Sequence, residues 1–237
     1  VARGQFGSRS RARDAVARGS VSVDGTIETR PGRPVSGDAQ IAVNDPAQAY
    51  VARSALKLIA ALDHFKLDPM GCSALDIGAS TGGFTQVLLE RGAAHVTAVD
   101  VGHGQLDTGL RGDPRVTNVE GMNARELTAT DIGGRSITAV VADVSFISLR
   151  LALPPALQIA EAGSWAALLV KPQFELGRDA IGKGGIVKQP EEALACAKSL
   201  SDWLDGMPGW RSLGIIASPI EGGDGNREFL LAGKRDQ

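Results

Sequence analysis

Residues 75–84 read LDIGASTGGF, and this stretch restricts the fold more than any other. Apolar residues flank a carboxylate at Asp76, glycines follow at 78, 82 and 83, and Phe84 opens a second apolar pattern. Glycine reaches backbone angles closed to other residues and lets a chain come close to a ligand. A helix that starts beside such a turn offers unpaired N–H groups to an anionic group. Strand, glycine turn and helix in that order belong at the carboxyl end of a strand in a doubly wound α/β sheet, where such sheets bind ligands.

The rest of the chain supplies the sheet. Strands are expected at 73–78, 95–100, 115–119, 136–143, 164–171, near 211–217 and at 228–233, with helices at 82–91, 149–161 and 190–205. Apolar runs such as AALLV mark strands covered on both faces, and their alternation with helices indicates mostly parallel pairing. Over about 50–66, Val51, Leu56, Ile59, Ala60 and Leu62 form a helical stripe, while Arg53 and Lys57, four apart, share another face. The expected fold is α/β: a doubly wound, mostly parallel, seven-stranded Rossmann-like sheet.

Residues 1–44 read as a separate small α+β unit. Ser8 is placed to cap a helix whose Ala12, Ala15 and Val16 recur at helical spacing, ending at Gly19. VSV (21–23), Asp24-Gly25 and TIE (26–28) form a hairpin pattern, and QIAV (40–43) a third strand. Asn44-Asp45-Pro46 marks the boundary, so 45–49 are expected as a linker and 50–237 as the main domain. Residues 1–44 hold seven Arg against four acids on a chain of net charge −2. A basic module on an acidic body points to a polyanionic partner.

No apolar run reaches the roughly 18 residues of a membrane span, and no signal pattern is seen. Cys72 and Cys196 read as free thiols of a cytoplasmic protein. His64, His95 and His103 lack ligand spacing, so no metal is expected. Trp165, Trp203 and Trp210 read as packing residues, and a monomer is the expected state.

The turn favours one ligand class. Asp76 is placed to bond an ammonium group, and Asp100, ending the second strand, to bond both hydroxyls of a ribose. An amino acid joined to a nucleoside, S-adenosylmethionine, satisfies both. The candidate contacts are Asp76, Gly78, Ala79, Ser80, Thr81, Gly82, Gly83 and Phe84, with Asp100, Val101, Asn123 and Asp143 at neighbouring strand ends. A dinucleotide fingerprint requires G-x-G-x-x-G, and its middle glycine is Ser80 here. A glycine turn without a ligand is the weaker alternative, because three glycines coincide with two strand-end aspartates.

Four further polar residues fall at the same edge: Lys57 before the first strand, Asp143 ending the fourth, Lys171 ending the fifth and Glu228 opening the last. Lys, Asp, Lys and Glu in that order around DIGASTGGF resemble the FtsJ-type ribose 2′-O-methyltransferases. YVARSALKL (50–58), DVGHGQL (100–106), DVSFISL (143–149), VKPQFELGR (170–178), GKGGIV (182–187) and GNREFLL (225–231) resemble the TlyA family of rRNA methyltransferases, historically labelled hemolysins. The N-terminal VARGQFGSRSRARDAVARGSVSVDG is similar to that family's S-four-type RNA-binding domain, with the start of its first helix expected to be missing. Ala52 and Ser54 depart from the YVSRGALKL pattern, and both are small enough to leave the helix intact.

The resemblance implies methyl transfer to a ribose 2′-hydroxyl, a poor nucleophile that needs help to lose its proton. An ordinary lysine, titrating near about 10.4, is a poor base at neutral pH, and burial or a nearby cation such as Lys57 makes it a better one. Lys171 is therefore the expected base or alkoxide stabiliser and Asp143 its orienter, with Lys57 and Glu228 positioning the ribose and amine. The implied partner is ribosomal RNA within a ribosomal subunit, methylated at a cytidine. Phosphate contacts are assigned to Arg3, Arg9, Arg11, Arg13, Arg18 and Arg53, and to Arg178, Lys183 and Lys188 in a glycine-rich loop. A solvated charged helix is the bland alternative for the first group. A pore-forming or haemolytic protein and a ribosome-binding factor without catalysis are the competing functions.

Overall fold

The computed structural model describes residues 1–223 and 225–236. It divides into two compact units, Val1–Tyr50 and Val51–Gln237.

In the first unit, α1 (Arg9–Ala17) starts at Ser8, whose hydroxyl accepts the Arg11 N–H at 3.2 Å. A three-stranded antiparallel sheet follows in the order β2-β1-β3, from β1 (Val21–Val23), β2 (Thr26–Ile27) and β3 (Ile41–Val43). The hairpin turns on Asp24 and Gly25, with φ of 50° and 80°. Two successive left-handed residues match the right-handed twist of the strands they join. Residues 45–49, expected as a linker, instead belong to this unit. Pro46–Ala49 form a 3₁₀ turn capped by Asp45, which pairs with Arg18 at 2.9 Å, while Arg11 donates to the carbonyl oxygen of Ala47.

The second unit is a seven-stranded sheet in the order β6-β5-β4-β7-β8-β10-β9. Its strands are β4 (Ser73–Ile77), β5 (His95–Asp100), β6 (Val116–Glu120), β7 (Ile137–Ala142), β8 (Ala160–Val170), β9 (Trp210–Ala217) and β10 (Phe229–Arg235). The first five pair in parallel, and β10 lies antiparallel between β8 and β9. The helices are α2 (Ala55–Phe65), α3 (Gly83–Glu90), α4 (Thr108–Arg111), α5 (Leu149–Ala152), α6 (Pro154–Ile159), α7 (Pro172–Glu175) and α8 (Pro190–Asp205).

Side chains alternate along each strand, and the two faces carry separate cores. Leu75, Ile77, Val140, Leu168 and Val170 join Leu149, Leu153, Leu157 and Leu200 in one cluster beneath α5, α6 and α8. Asp76 points to the opposite face, where α2 and α3 pack on each other and bury Leu58, Leu62 and Leu88. Each fully buried leucine contributes roughly 1.5–3 kcal/mol.

Two helices depart from expectation. The one read over 50–66 begins only at Ala55, because the Val51 N–H is drawn to the side-chain oxygen of Gln86 on α3, at 2.8 Å. A β-carbon on Gly83 would lie 2.5 Å from Ser54 Oγ, so this segment rests on the start of α3. The helix read over 149–161 breaks at Leu153, ahead of Pro154 and Pro155, which lack the N–H groups a continuous helix needs. Its last residues join β8, which starts at Ala160 rather than 164.

Candidate cofactor and catalytic site

The turn after β4 is fixed by local geometry. Gly78, Ser80 and Gly82 all have positive φ, at 80°, 49° and 101°. A β-carbon on Gly78 would meet the Asp143 carbonyl oxygen at 2.6 Å, and one on Gly82 the Leu110 side chain at 2.3 Å. Only glycine fits these two positions. Ser80 tolerates its conformation with help: its N–H donates to Asp100 Oδ2 at 2.8 Å, while the Gly102 N–H donates to Asp100 Oδ1 at 2.7 Å. Asp100 thus staples the loops after β4 and β5 and keeps lone pairs for a ligand.

Asp76 is fully buried. Thr85 donates to its Oδ2 at 2.7 Å, and its Oδ1 has no partner among the described residues. Burial pushes this carboxyl up to about 7, against the Thr85 hydrogen bond and with help from the negative charges of Asp143 and Asp100. An unpartnered buried oxygen costs on the order of 1–3 kcal/mol unless something meets it. A ligand ammonium group would.

Two cavities open here. The larger, about 440 Å³, is lined by Ile77, Val99, Asp100, Val101, Met122, Asn123 and Val144, among others. Asn123 also caps the following 3₁₀ turn by accepting the Arg125 N–H. The smaller, about 170 Å³, is lined by Ala52, Ser54, Ala79, Thr81, Phe84 and Lys171. Gly78, Ser80, Asp143 and Ser145 line both. Gly82 and Gly83 shape the turn and the start of α3 rather than lining either cavity.

The four polar residues form two ion pairs. Lys171 Nζ lies 2.5 Å from Asp143 Oδ1 and donates to Ser145 Oγ at 2.8 Å, on the shared wall of the cavities. Lys57 is paired with Glu228, and both are buried. Neither lines either of these two cavities, and the cation expected to act on Lys171 is itself neutralised by a carboxylate.

Sequence reasoning missed two residues. Ser145 has no role in the sequence analysis; its place two residues after Asp143 in DVSFIS was the available signal. Phe146 has φ of 64° and is 90% exposed, its ring centroid 4.9 Å from that of Phe174. It also borders the larger cavity. A bulky residue in that conformation is strained, and such strain gathers at functional sites.

The expected phosphate contacts separate into groups. Arg3 donates to the carbonyl oxygens of Ala39 and Gly37, both at 2.6 Å, and with Arg11 and Arg18 it holds the first unit together. Arg9 and Arg13 are exposed on α1 and border a concavity of about 600 Å³ with Ala12, Val16, Pro31 and Gly32. In the second unit Arg53 is half-buried, near Gly223. Arg178, Lys183 and Lys188 are exposed on a braced loop. Ile181 bridges Val187, and the buried Asn226 accepts the Val187 N–H at 3.0 Å and donates to the Gly185 oxygen at 2.9 Å. Among the described residues, no three His, Cys, Asp or Glu gather in a metal-holding group, and no helix is long and apolar enough to cross a membrane.

Sheet order, glycine turn and paired lysines define a methyltransferase of the Rossmann-like class. The sequence model of the FtsJ-like methyltransferases matches residues 50–235, and the chain belongs to that family. It is 45% identical to the 16S/23S rRNA (cytidine-2'-O)-methyltransferase TlyA of Mycobacterium tuberculosis, over 98% of this chain and 86% of that protein. It is 37% identical to Hemolysin A of Brachyspira hyodysenteriae, over 94% and 92% of the two chains. A solved structure from Streptococcus thermophilus, described as a hemolysin, superposes with a TM-score of 0.78 at 38% identity, over 99% of this chain and 85% of that one.

Proposed function

We propose that this chain methylates the 2′-hydroxyl of a cytidine in ribosomal RNA, using S-adenosylmethionine. The observation that carries the reading is the Lys171 amine, held by Asp143 and Ser145 where the two cavities meet. The residues present fit the cofactor: the orphaned Asp76 Oδ1 suits an ammonium group, and Gly78 leaves room where a side chain would collide. Asp100 suits the ribose hydroxyls, with Val99, Val101 and Met122 flanking the base. When bound, the cofactor supplies a methyl group on a positively charged sulfur that departs as a neutral thioether.

Lys171 would take the proton of the 2′-hydroxyl at Nζ, leaving that oxygen as the nucleophile for the methyl group that the bound cofactor would supply. Asp143 holds the amine and steadies the ammonium that results. The Lys57–Glu228 pair fixes α2 against the start of β10. Phe146 offers a ring face on which a base turned out of the RNA would stack. The loop carrying Arg178, Lys183 and Lys188 grips the backbone, and the first unit acts as the S-four-type module through Arg9 and Arg13. We place the monomeric enzyme in the cytoplasm, acting on an assembled ribosomal subunit without a metal.

The test combines the purified chain, tritiated S-adenosylmethionine and isolated subunits, followed by mapping of the labelled ribose. Label on a cytidine 2′-oxygen is expected, and full turnover by Lys171→Ala would sink the base assignment. Lysis of red cells by the purified protein would instead favour the activity that the Brachyspira name states.

A further inference from the structure

We infer that Ser145 is a positioning residue for the methyl-transfer step: it fixes the rotation of the Lys171 amine so that its lone pair faces the acceptor hydroxyl. This rests on the reading of Lys171 as the base. The geometry is specific. Lys171 Nζ is ion-paired with Asp143 Oδ1 at 2.5 Å, a contact without hydrogen-bond geometry, and donates a hydrogen bond to Ser145 Oγ at 2.8 Å. A neutral primary amine has two N–H bonds and one lone pair in a tetrahedral arrangement. It turns freely about its last carbon–nitrogen bond unless its hydrogens are held. Asp143 draws the amine by charge, without the geometry of a hydrogen bond, and so does not by itself fix the direction of the lone pair. The hydrogen bond to Ser145 supplies that direction: with one N–H on Ser145 Oγ and the amine drawn toward Asp143, the lone pair is left for a hydroxyl in the small cavity that all three residues line.

After the proton moves from the hydroxyl to Nζ, the ammonium keeps the same two contacts, so no reorganisation accompanies the transfer. Ser145 is exposed at the cavity mouth and, among the described residues, its side chain makes no other hydrogen bond that ties another element to it. Asp143 is the charged group that faces the amine from the adjacent strand end, and Lys57 is held by Glu228.

The test compares the full chain with Ser145→Ala and Ser145→Thr, using isolated ribosomal subunits and S-adenosylmethionine. Ser145→Ala is expected to lower the plateau of the pH–kcat profile by about 10–100-fold, the usual cost of a misplaced reacting group. KM for both substrates should change less than about twofold, and Ser145→Thr, which restores the hydroxyl, should recover most of kcat. The Lys171 Nζ resonance of nitrogen-15-labelled, cofactor-free chain, assigned by its loss in Lys171→Arg, should move in Ser145→Ala. An unchanged kcat or resonance, a defect confined to KM, or a defect that vanishes at the alkaline plateau would each overturn the inference. The last outcome would mean that Ser145 acts on protonation and not on direction. Lys171→Ala separates the two readings: if it retains turnover the base assignment fails, whereas a silent Ser145→Ala beside an inactive Lys171→Ala removes Ser145 alone.

Discussion

The site holds two lysine–carboxylate pairs of the same chemistry in different surroundings. Lys57 and Glu228 keep 6% and 3% of their side-chain surface, and they meet across 171 residues of sequence. Lys171 and Asp143 keep 12% and 17%, and they stand on adjacent parallel strand ends at a cavity wall. Burial makes the first pair a clamp, because either charge left alone would be stranded in a medium of low polarity. Partial exposure leaves the second within reach of a substrate, as the proposed base role requires. On the proposed reading, equal residue types divide into one pair that holds and one that acts.

The sharpest way to break this contrast is Lys171→Ala. It should cut kcat by about 10²–10⁴-fold, the span of general-base catalysis, with thermal stability near that of the unaltered chain. A large loss of melting temperature would show that the second pair is structural too. Next is Glu228→Ala, which strands Lys57 and should cost about 3–5 kcal/mol in urea unfolding. Replacing both partners, Lys57→Met with Glu228→Leu, should recover most of that stability. If the double variant is as unstable as the single one, the clamp reading fails.

Asp76 extends the contrast to a carboxylate with no cation at all. Asp76→Asn should weaken cofactor binding about 10–100-fold by calorimetry, as expected for losing a hydrogen bond to a charged group. The fold raises its value from 3.8 to about 7, so ligand-free protein retains a proton that the unfolded chain has lost. Stability of the ligand-free protein should therefore fall as pH rises from about 4 to about 7, and cofactor affinity should rise through the same upper end. Asp76→Asn should flatten both dependences. The smallest effect is expected at the other end of the chain. Arg9→Gln with Arg13→Gln should reduce the salt slope of RNA binding by about two and leave kcat at saturating subunit concentration unchanged. An unaltered slope would remove α1 from the RNA contact.

Much of this was readable in the sequence because it rests on short-range rules. The glycine positions and the alternation of strand and helix need only local backbone preference and burial pattern. The 190–205 helix and the Ser8 cap follow from the same rules. Misreadings arose where distant segments overrode local preference. The start of α2 was displaced by Gln86. Residues 45–49 were drawn to α1 by Arg18 and Arg11. Arg3, which looks like a free basic residue, is occupied by carbonyl groups some 34 to 36 positions away.

By itself the sequence determined the class of fold, the turn at 75–84 and the identity of the four polar residues, because strand ends in a doubly wound sheet converge whatever their separation along the chain. It did not determine which lysine pairs with which acid, that Asp76 is left with an unanswered oxygen, or that Ser145 stands against Lys171. Those depend on differences of a few tenths of an ångström in the distances between side chains up to 171 residues apart, and only the packed tertiary structure sets them.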